Sequence, residues 1–244
     1  MRAVVYLLDN SRKHARMARK SMGMLRRHSP EIKVACLTTH QTLSFDDSLN
    51  VEMIPIRNLD PDYFITNKAH LASLDYDEIL FLDSDTFPLA DVNRIFDLYD
   101  CDFAGCQTNY AAKLGWTAYP TYNSGALLFR NGSNKRIYED MERHVREFES
   151  LHPELYEFLT QKYSLWTREE MLISKLAHEK GISSRLIDRS HIRIMDEPSD
   201  IRFAKDCLIF HSYTNYWGEA LAQIEPPKVK VFPYKRQPEP RGEK

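Results

Sequence analysis

The amino-acid sequence predicts an α/β fold, a mainly parallel sheet flanked by helices in a single domain. Three observations carry that prediction. Over the first hundred residues short apolar runs alternate with helical patterns, the rhythm of βαβ units. The run Glu78-Ile79-Leu80-Phe81-Leu82 reads as a strand buried on both faces, and it ends on the acidic Asp83-Ser84-Asp85. With 244 residues, 43% of them apolar and 28% charged, the chain can bury one large core without disulfides.

The first strand spans 3–8, Ala3 to Leu8, and closes on Asp9. A helix follows at 11–28 with Ser11 as N-cap, and Ala15, Met17, Ala18, Met22, Met24 and Leu25 give it an apolar face. Strands are predicted at 32–37 and 51–55, the second stopped by Pro55. A helix over 61–74 carries Phe64, Ala69, Leu71, Ala72 and Leu74 at its apolar positions. After the strand at 78–82 come a short helix at 92–99, a strand at 103–106, a loop-like aromatic stretch at 107–122 and a buried strand at 125–129. Helical patterns fill 133–149 and 154–180. Two short strands fit within 182–194, and a last one at 207–210 ends at His211. Five prolines from Pro226 onward predict an extended or disordered tail at 226–244 behind a domain of 1–225.

The formal net charge is −2, so no field of one sign marks the surface for nucleic acid, and no nucleic-acid motif is present. Residues 12–27 nevertheless hold seven Arg and Lys and no acid. This run reads as the solvated face of the first helix. A second reading is peripheral docking on anionic lipid, which suits an enzyme acting on a membrane-bound acceptor. Cys36, Cys101, Cys106 and Cys207 form no CxxC pair and lie in or beside apolar stretches, as reduced thiols do. No run approaches the ~20 apolar residues of a membrane span, and the opening apolar run is too short for a signal segment. A cytoplasmic protein is expected. With eight glycines and neither GxGxxG nor GxxxxGK[ST], any bound phosphate must be held by metal, side chains or helix ends.

In an open α/β sheet, ligands sit outside the carboxyl ends of the strands, which directs Asp83 and Asp85 into the crevice. Two neighbouring carboxylates repel unless a cation lies between them, and hard oxygen ligands of this kind suit Mn²⁺ or Mg²⁺ carrying a diphosphate. Alone, an Asp-x-Asp equally fits a solvated loop in which Asp83 caps the next turn. Lys68, on the helix leading into the same strand, is placed either to neutralise phosphate or to face solvent. Asp9, with Tyr6 and Leu8 at the end of the first strand, is positioned for a nucleotide base and ribose, and Arg12 is a further partner or a surface arginine.

The stretch from Lys68-Ala69-His70-Leu71 through Tyr76-Asp77-Glu78-Ile79-Leu80-Phe81-Leu82-Asp83-Ser84-Asp85-Thr86 resembles the central motif of family 8 glycosyltransferases, the glycogenin and bacterial lipopolysaccharide sugar transferases. Gly115-Trp116 and Tyr122-Asn123-Ser124-Gly125-Ala126-Leu127-Leu128-Phe129 are similar to that family's Phe-Asn-Ser-Gly strand. Glu169-Glu170 falls where the family has an Asp-Gln pair, and His211 where it has its third protein metal ligand. The resemblance covers roughly residues 1–217. It departs after His211: Ser212-Tyr213-Thr214-Asn215-Tyr216-Trp217 replaces a Gly, Lys, Pro, Trp sequence, so the lysine that would touch the diphosphate is missing, with Lys228 a distant substitute.

The resemblance implies a GT-A, Rossmann-like fold and transfer of a sugar, with retention, from a nucleotide-diphosphate donor such as a UDP-sugar to a glycan, lipid or protein acceptor. Asp83, Asp85 and His211 would hold Mn²⁺ or Mg²⁺, although His211 also suits a core histidine at a strand end. Lys68 would add charge to the departing diphosphate. Ser84, Ser124 and Gly125 would border the donor, Asn123 would bond sugar hydroxyls, and Glu169 or Glu170 would orient the sugar or steady the cationic anomeric carbon. Trp116 and Trp217 offer faces for sugar stacking. A haloacid-dehalogenase-type phosphatase also uses Asp-x-Asp after a buried strand, but with its threonine two places beyond the second Asp, whereas Thr86 is adjacent. A sugar-nucleotide-forming nucleotidyltransferase would need a glycine-rich N-terminal loop that is absent. A sugar-nucleotide-binding protein without transfer activity is the remaining alternative.

Overall fold

The computed structural model describes residues 1–40, 43–60, 62–162, 164–195 and 197–225, so the predicted tail at 226–244 lies outside the described residues. Strand β1 (Arg2–Leu8) leads into α1 (Arg12–His28), then β2 (Lys33–Thr38) and β3 (Val51–Pro55). A 3₁₀ helix (Phe64–Ser73) precedes β4 (Glu78–Leu82), β5 (Thr86–Pro88), α2 (Asn93–Leu98) and β6 (Phe103–Gln107). Next come α3 (Asn109–Lys113), β7 (Tyr122–Arg130), α4 (Ser133–Tyr138), α5 (Met141–Arg146), α6 (Phe148–Leu151) and α7 (Pro153–Lys162). The chain continues through α8 (Arg168–Glu179), β8 (Ser184–Leu186), β9 (Ile192–Ile194), β10 (Ile209–His211) and α9 (Trp217–Ile224).

Seven strands form the main sheet in the order β3-β2-β1-β4-β7-β6-β8. All are parallel except β7, which runs against both β4 and β6. The expected mainly parallel sheet is therefore present, and its strands alternate between two cores. Val5, Leu7, Leu37, Phe81, Phe103, Leu127 and Phe129 face the 3₁₀ helix and α4 to α8. Val4, Tyr6, Leu8, Cys36, Leu82 and Leu128 face α1 and α2. Burial on both sides is why these strands read as unbroken apolar runs. A small sheet, β5-β10-β9, packs against α1 and α9 around Met17, Phe87, Phe210 and Trp217.

Several elements depart from their expected form. The helix predicted over 61–74 is a ten-residue 3₁₀ helix, wound tighter so that Thr66, Asn67, Lys68 and Leu71 all turn inward. Asn67 fixes it by accepting from Leu59 N and donating to Asn58 Oδ1 and Phe64 O. The single helix expected at 133–149 is divided into α4, α5 and α6, which still bury Ile137, Met141, Val145 and Phe148 at helical spacing. The helix expected at 154–180 is interrupted, which makes Glu169 and Glu170 first-turn residues of α8. Strand β5 and helices α3 and α9 were not evident in the sequence pattern; none exceeds eight residues.

The Arg26 guanidinium fastens the end of α1, donating to Leu49 O (2.7 Å), Pro30 O (2.9 Å), Ile32 O (2.6 Å) and Asn50 O (2.8 Å). A lysine cannot span four carbonyls with one ammonium. Arg26→Ala and Arg26→Lys are both expected to lower stability by about 2 kcal/mol, read from urea denaturation midpoints.

Candidate active site

Strand β4 delivers the Asp-Ser-Asp turn, and three neighbours complete it. Asp83 N donates to Gly125 O (2.8 Å), extending the β4–β7 ladder by one bond beyond Leu82 opposite Ala126. Because β7 is antiparallel, its first residues, Asn123, Ser124 and Gly125, lie at the edge where β4 ends. The turn then enters β5, where Thr86 pairs with His211 of β10. The carboxylates and the histidine thus meet where the two sheets join, and the ligand atoms of Asp83, Asp85 and His211 lie within 4.8 Å of one another.

Asp85 and His211 are 7% and 4% exposed. His211 Nε2 stands 3.1 Å from Asp85 Oδ1, and Thr214 Oγ1 donates to Asp85 Oδ2 at 3.0 Å. Burial alone would raise the Asp85 pKa, but His211 beside it more than reverses this and holds it below the usual range. The converse holds for His211: burial lowers it, Asp85 outweighs burial, and the imidazole is raised. Gly125 is required here by close approach. A Cβ at this position would stand 2.7 Å from His211 Nδ1 and 2.8 Å from Nε2.

Lys68 is 1% exposed. Its Nζ donates to Ser124 O (2.8 Å) and Ser124 Oγ (2.9 Å), with Asp83 Oδ1 at 3.6 Å and Glu169 Oε2 at 3.7 Å. Burial pulls its pKa down, and Asp83, Glu169 and Glu170 together push it above normal. The ammonium expected at a diphosphate is here buried as a counter-ion to protein carboxylates. Glu169, 1% exposed, has no hydrogen bond to either oxygen. Burial lifts its pKa from 4.5 to about 7 against the pull of Lys68, helped by Glu170 and Asp83.

Glu170 accepts from Asn123 Nδ2 (2.8 Å) and Ser124 N (3.1 Å), and Asn123 Oδ1 accepts from Gly125 N (2.9 Å). Asn123 therefore shapes the strand entry with the groups expected to meet sugar hydroxyls. Ser84 lies buried in the turn between the aspartates. The side chains of Tyr6 and Leu8 point into the core beneath α1, and Tyr6 OH bonds Ser21 Oγ at 2.9 Å. Asp9 directly follows the end of β1. It accepts from Ser11 N (2.9 Å) and meets His14 Nδ1 at 2.9 Å. Burial works against ionising Asp9 and His14 overrides it, while the Asp9 bond raises His14, to which Asp85 also contributes. His14 and Thr214 were missed in the sequence. Ser11 as N-cap places His14 one turn above Asp9, and that spacing was the available signal. Trp116 packs on Tyr119 and Phe158, and Trp217 on Phe87.

The chain has the fold of the GT-A glycosyltransferases, as the sequence resemblance implied. The galactosyltransferase LgtC in complex with donor and acceptor sugar analogues is similar at a TM-score of 0.60 and 12% identity, over 89% of this chain and 94% of that one. The glycosyltransferase GlyE of Streptococcus pneumoniae TIGR4 matches at 0.56 and 16%, over 90% of this chain and 60% of its own. Apo mouse xyloside xylosyltransferase 1 matches at 0.55 and 14%, over 88% and 99%. At these identities the likeness is one of fold. No protein-family model and no curated protein matches the sequence.

Two expected outcomes follow from this geometry. Gly125→Ala should displace the His211 ring and lower stability by on the order of 2 kcal/mol, read as a urea midpoint. For Glu169, the folded pKa lies above the unfolded one, so a carboxyl here costs stability as pH rises from about 4.5 to about 7. Glu169→Gln should match the wild type near pH 4 and exceed it by on the order of 2 kcal/mol at pH 8, read as urea midpoints at each pH. Parallel pH profiles would remove the assignment.

Proposed function

We propose that this protein is a metal-dependent glycosyltransferase that transfers a sugar, with retention, from a nucleotide-diphosphate donor, a UDP-sugar first, to a glycan, lipid or protein acceptor. The observation that carries the proposal is the Asp83–Asp85–His211 cluster at the carboxyl edge of β4, in a fold shared with solved glycosyltransferases. Two features fit a divalent ion, Mn²⁺ or Mg²⁺. The donor set combines two carboxylates with an imidazole whose Nδ1 is buried without a partner, and Gly125 supplies the clearance the ring needs. When bound, the ion supplies Lewis-acid charge to the departing diphosphate.

The remaining work belongs to the chain. Thr214 orients the Asp85 carboxylate, and Lys68 holds Asp83 and the Ser124 carbonyl in fixed relation. Glu170 and Asn123 set the entry of β7, where the donor sugar would lie against Ser124 and Gly125. Asp9, held by His14, is placed for the ribose. The phosphatase alternative loses support, because the Asp-x-Asp follows the fourth strand of the sheet. A cytoplasmic site of action, with peripheral contact through 12–27, accompanies the proposal. Among the described residues no helix is long and apolar enough to cross a membrane.

Asp85→Asn is expected to lower Mn²⁺-dependent UDP-sugar turnover by about a hundredfold or more with an unchanged melting curve; retained turnover would end the metal assignment. His211→Ala should raise the Mn²⁺ concentration for half-maximal rate by a smaller factor. A thermal-shift screen of nucleoside diphosphates with and without Mn²⁺ tests the donor class, since only a ligand that prefers the folded state raises the midpoint.

A further inference from the structure

The basic run of α1 is only partly used by the fold. Arg26 holds loop carbonyls, and Lys20 and Arg27 both pair with Glu225 beyond α9. Arg12, Lys13 and Arg16 are exposed and form no ion pair among the described residues. With Met17 and Trp217 they line a cavity of about 420 Å³. The first turn of α1 holds no acid, so the positive end of the helix adds to their charge.

Trp217 forms the wall. It is 7% exposed and stacked on Phe87 at 5.8 Å, with the Arg16 guanidinium 5.8 Å from the ring centre. Its indole Nε1 is buried without a hydrogen-bond partner. Three like charges gathered around one hollow repel unless an anion joins them. A carboxylate would satisfy one arginine fork, whereas a phosphoryl group offers enough oxygens for two guanidinium forks and an ammonium together. Asp83, Asp85 and His211 do not line this cavity, nor do His14 and Asp9, which bond each other.

We propose that the cavity between the N-terminal half of α1 and Trp217 is a phosphoryl-binding subsite, distinct from the acidic cluster and independent of a metal ion. The phosphoryl group comes either from the donor nucleotide or from a lipid headgroup.

The test is calorimetric titration of the full chain with inorganic pyrophosphate in EDTA. The wild type should bind, and Arg12→Gln/Arg16→Gln should weaken binding about tenfold or more. Arg12→Lys/Arg16→Lys, which keeps the charge without the guanidinium forks, should bind between the wild type and the Gln/Gln variant. Asp85→Asn should bind as the wild type does, which separates this subsite from the metal reading: loss of turnover in that variant and loss of pyrophosphate in the arginine variant are independent results. Absence of binding by the wild type, or equal binding by a folded Gln/Gln variant, overturns the proposal. Displacement of pyrophosphate by a nucleoside diphosphate with Mn²⁺ assigns the subsite to the donor. Binding to phosphatidylglycerol vesicles that is lost in the Gln/Gln variant, without such displacement, assigns it to lipid.

Discussion

A carboxylate withdrawn from water costs on the order of several kcal/mol unless a cation accompanies it, and this protein gathers four acids at one end of its sheet. Asp83, Asp85, Glu169 and Glu170 are met there by two buried basic side chains of the chain itself. Lys68 stands between Asp83 and Glu169, and His211 stands against Asp85. The balance is incomplete. Burial lifts the Glu169 pKa to about 7, and the neighbouring Glu170 and Asp83 add to the rise against the pull of Lys68. A site with more negative than positive charge in a dry setting is one that draws in a further cation.

The topology converts that charge balance into geometry. A parallel strand presents its last residues at the crevice, and an antiparallel one presents its first. Inserting β7 between β4 and β6 therefore sets Asn123-Ser124-Gly125 beside Asp83. The second sheet completes the cluster, since His211 is brought in by pairing with Thr86, the residue directly after the acidic turn. Glycine at 125 is the clearance between these two systems.

Much of this was legible in the sequence. The strands at 78–82 and 125–129 announced themselves by burial on both faces, and the acidic pair by its place after one of them. His211 required the resemblance, since a histidine at the end of a three-residue strand has no periodicity to betray it. The illegible parts depend on tertiary contact. Lys68 has the same appearance in sequence whether its ammonium faces water or three carboxylates, and only the 3₁₀ winding of its segment turns it inward. Tyr6 ends in the core because the period of two in β1 gives it the same face as Val4 and Leu8, beneath α1. The interruption before α8 follows from no single breaker, yet it makes Glu169 and Glu170 residues of a helix start.

The four cysteines carry a practical consequence. All are buried, and burial pushes the Cys36 thiol up to about 12 and Cys207 to about 11. Alkylating reagents and fluorophore maleimides attack the exposed thiolate; Cys36 and Cys207 offer almost none at neutral pH, and all four sulfurs are shielded by burial. The native chain thus serves as its own quiet background: a single cysteine placed on the crevice lip would be the fast-reacting one, and spectroscopic labels could report on that lip without first stripping the protein of its sulfur.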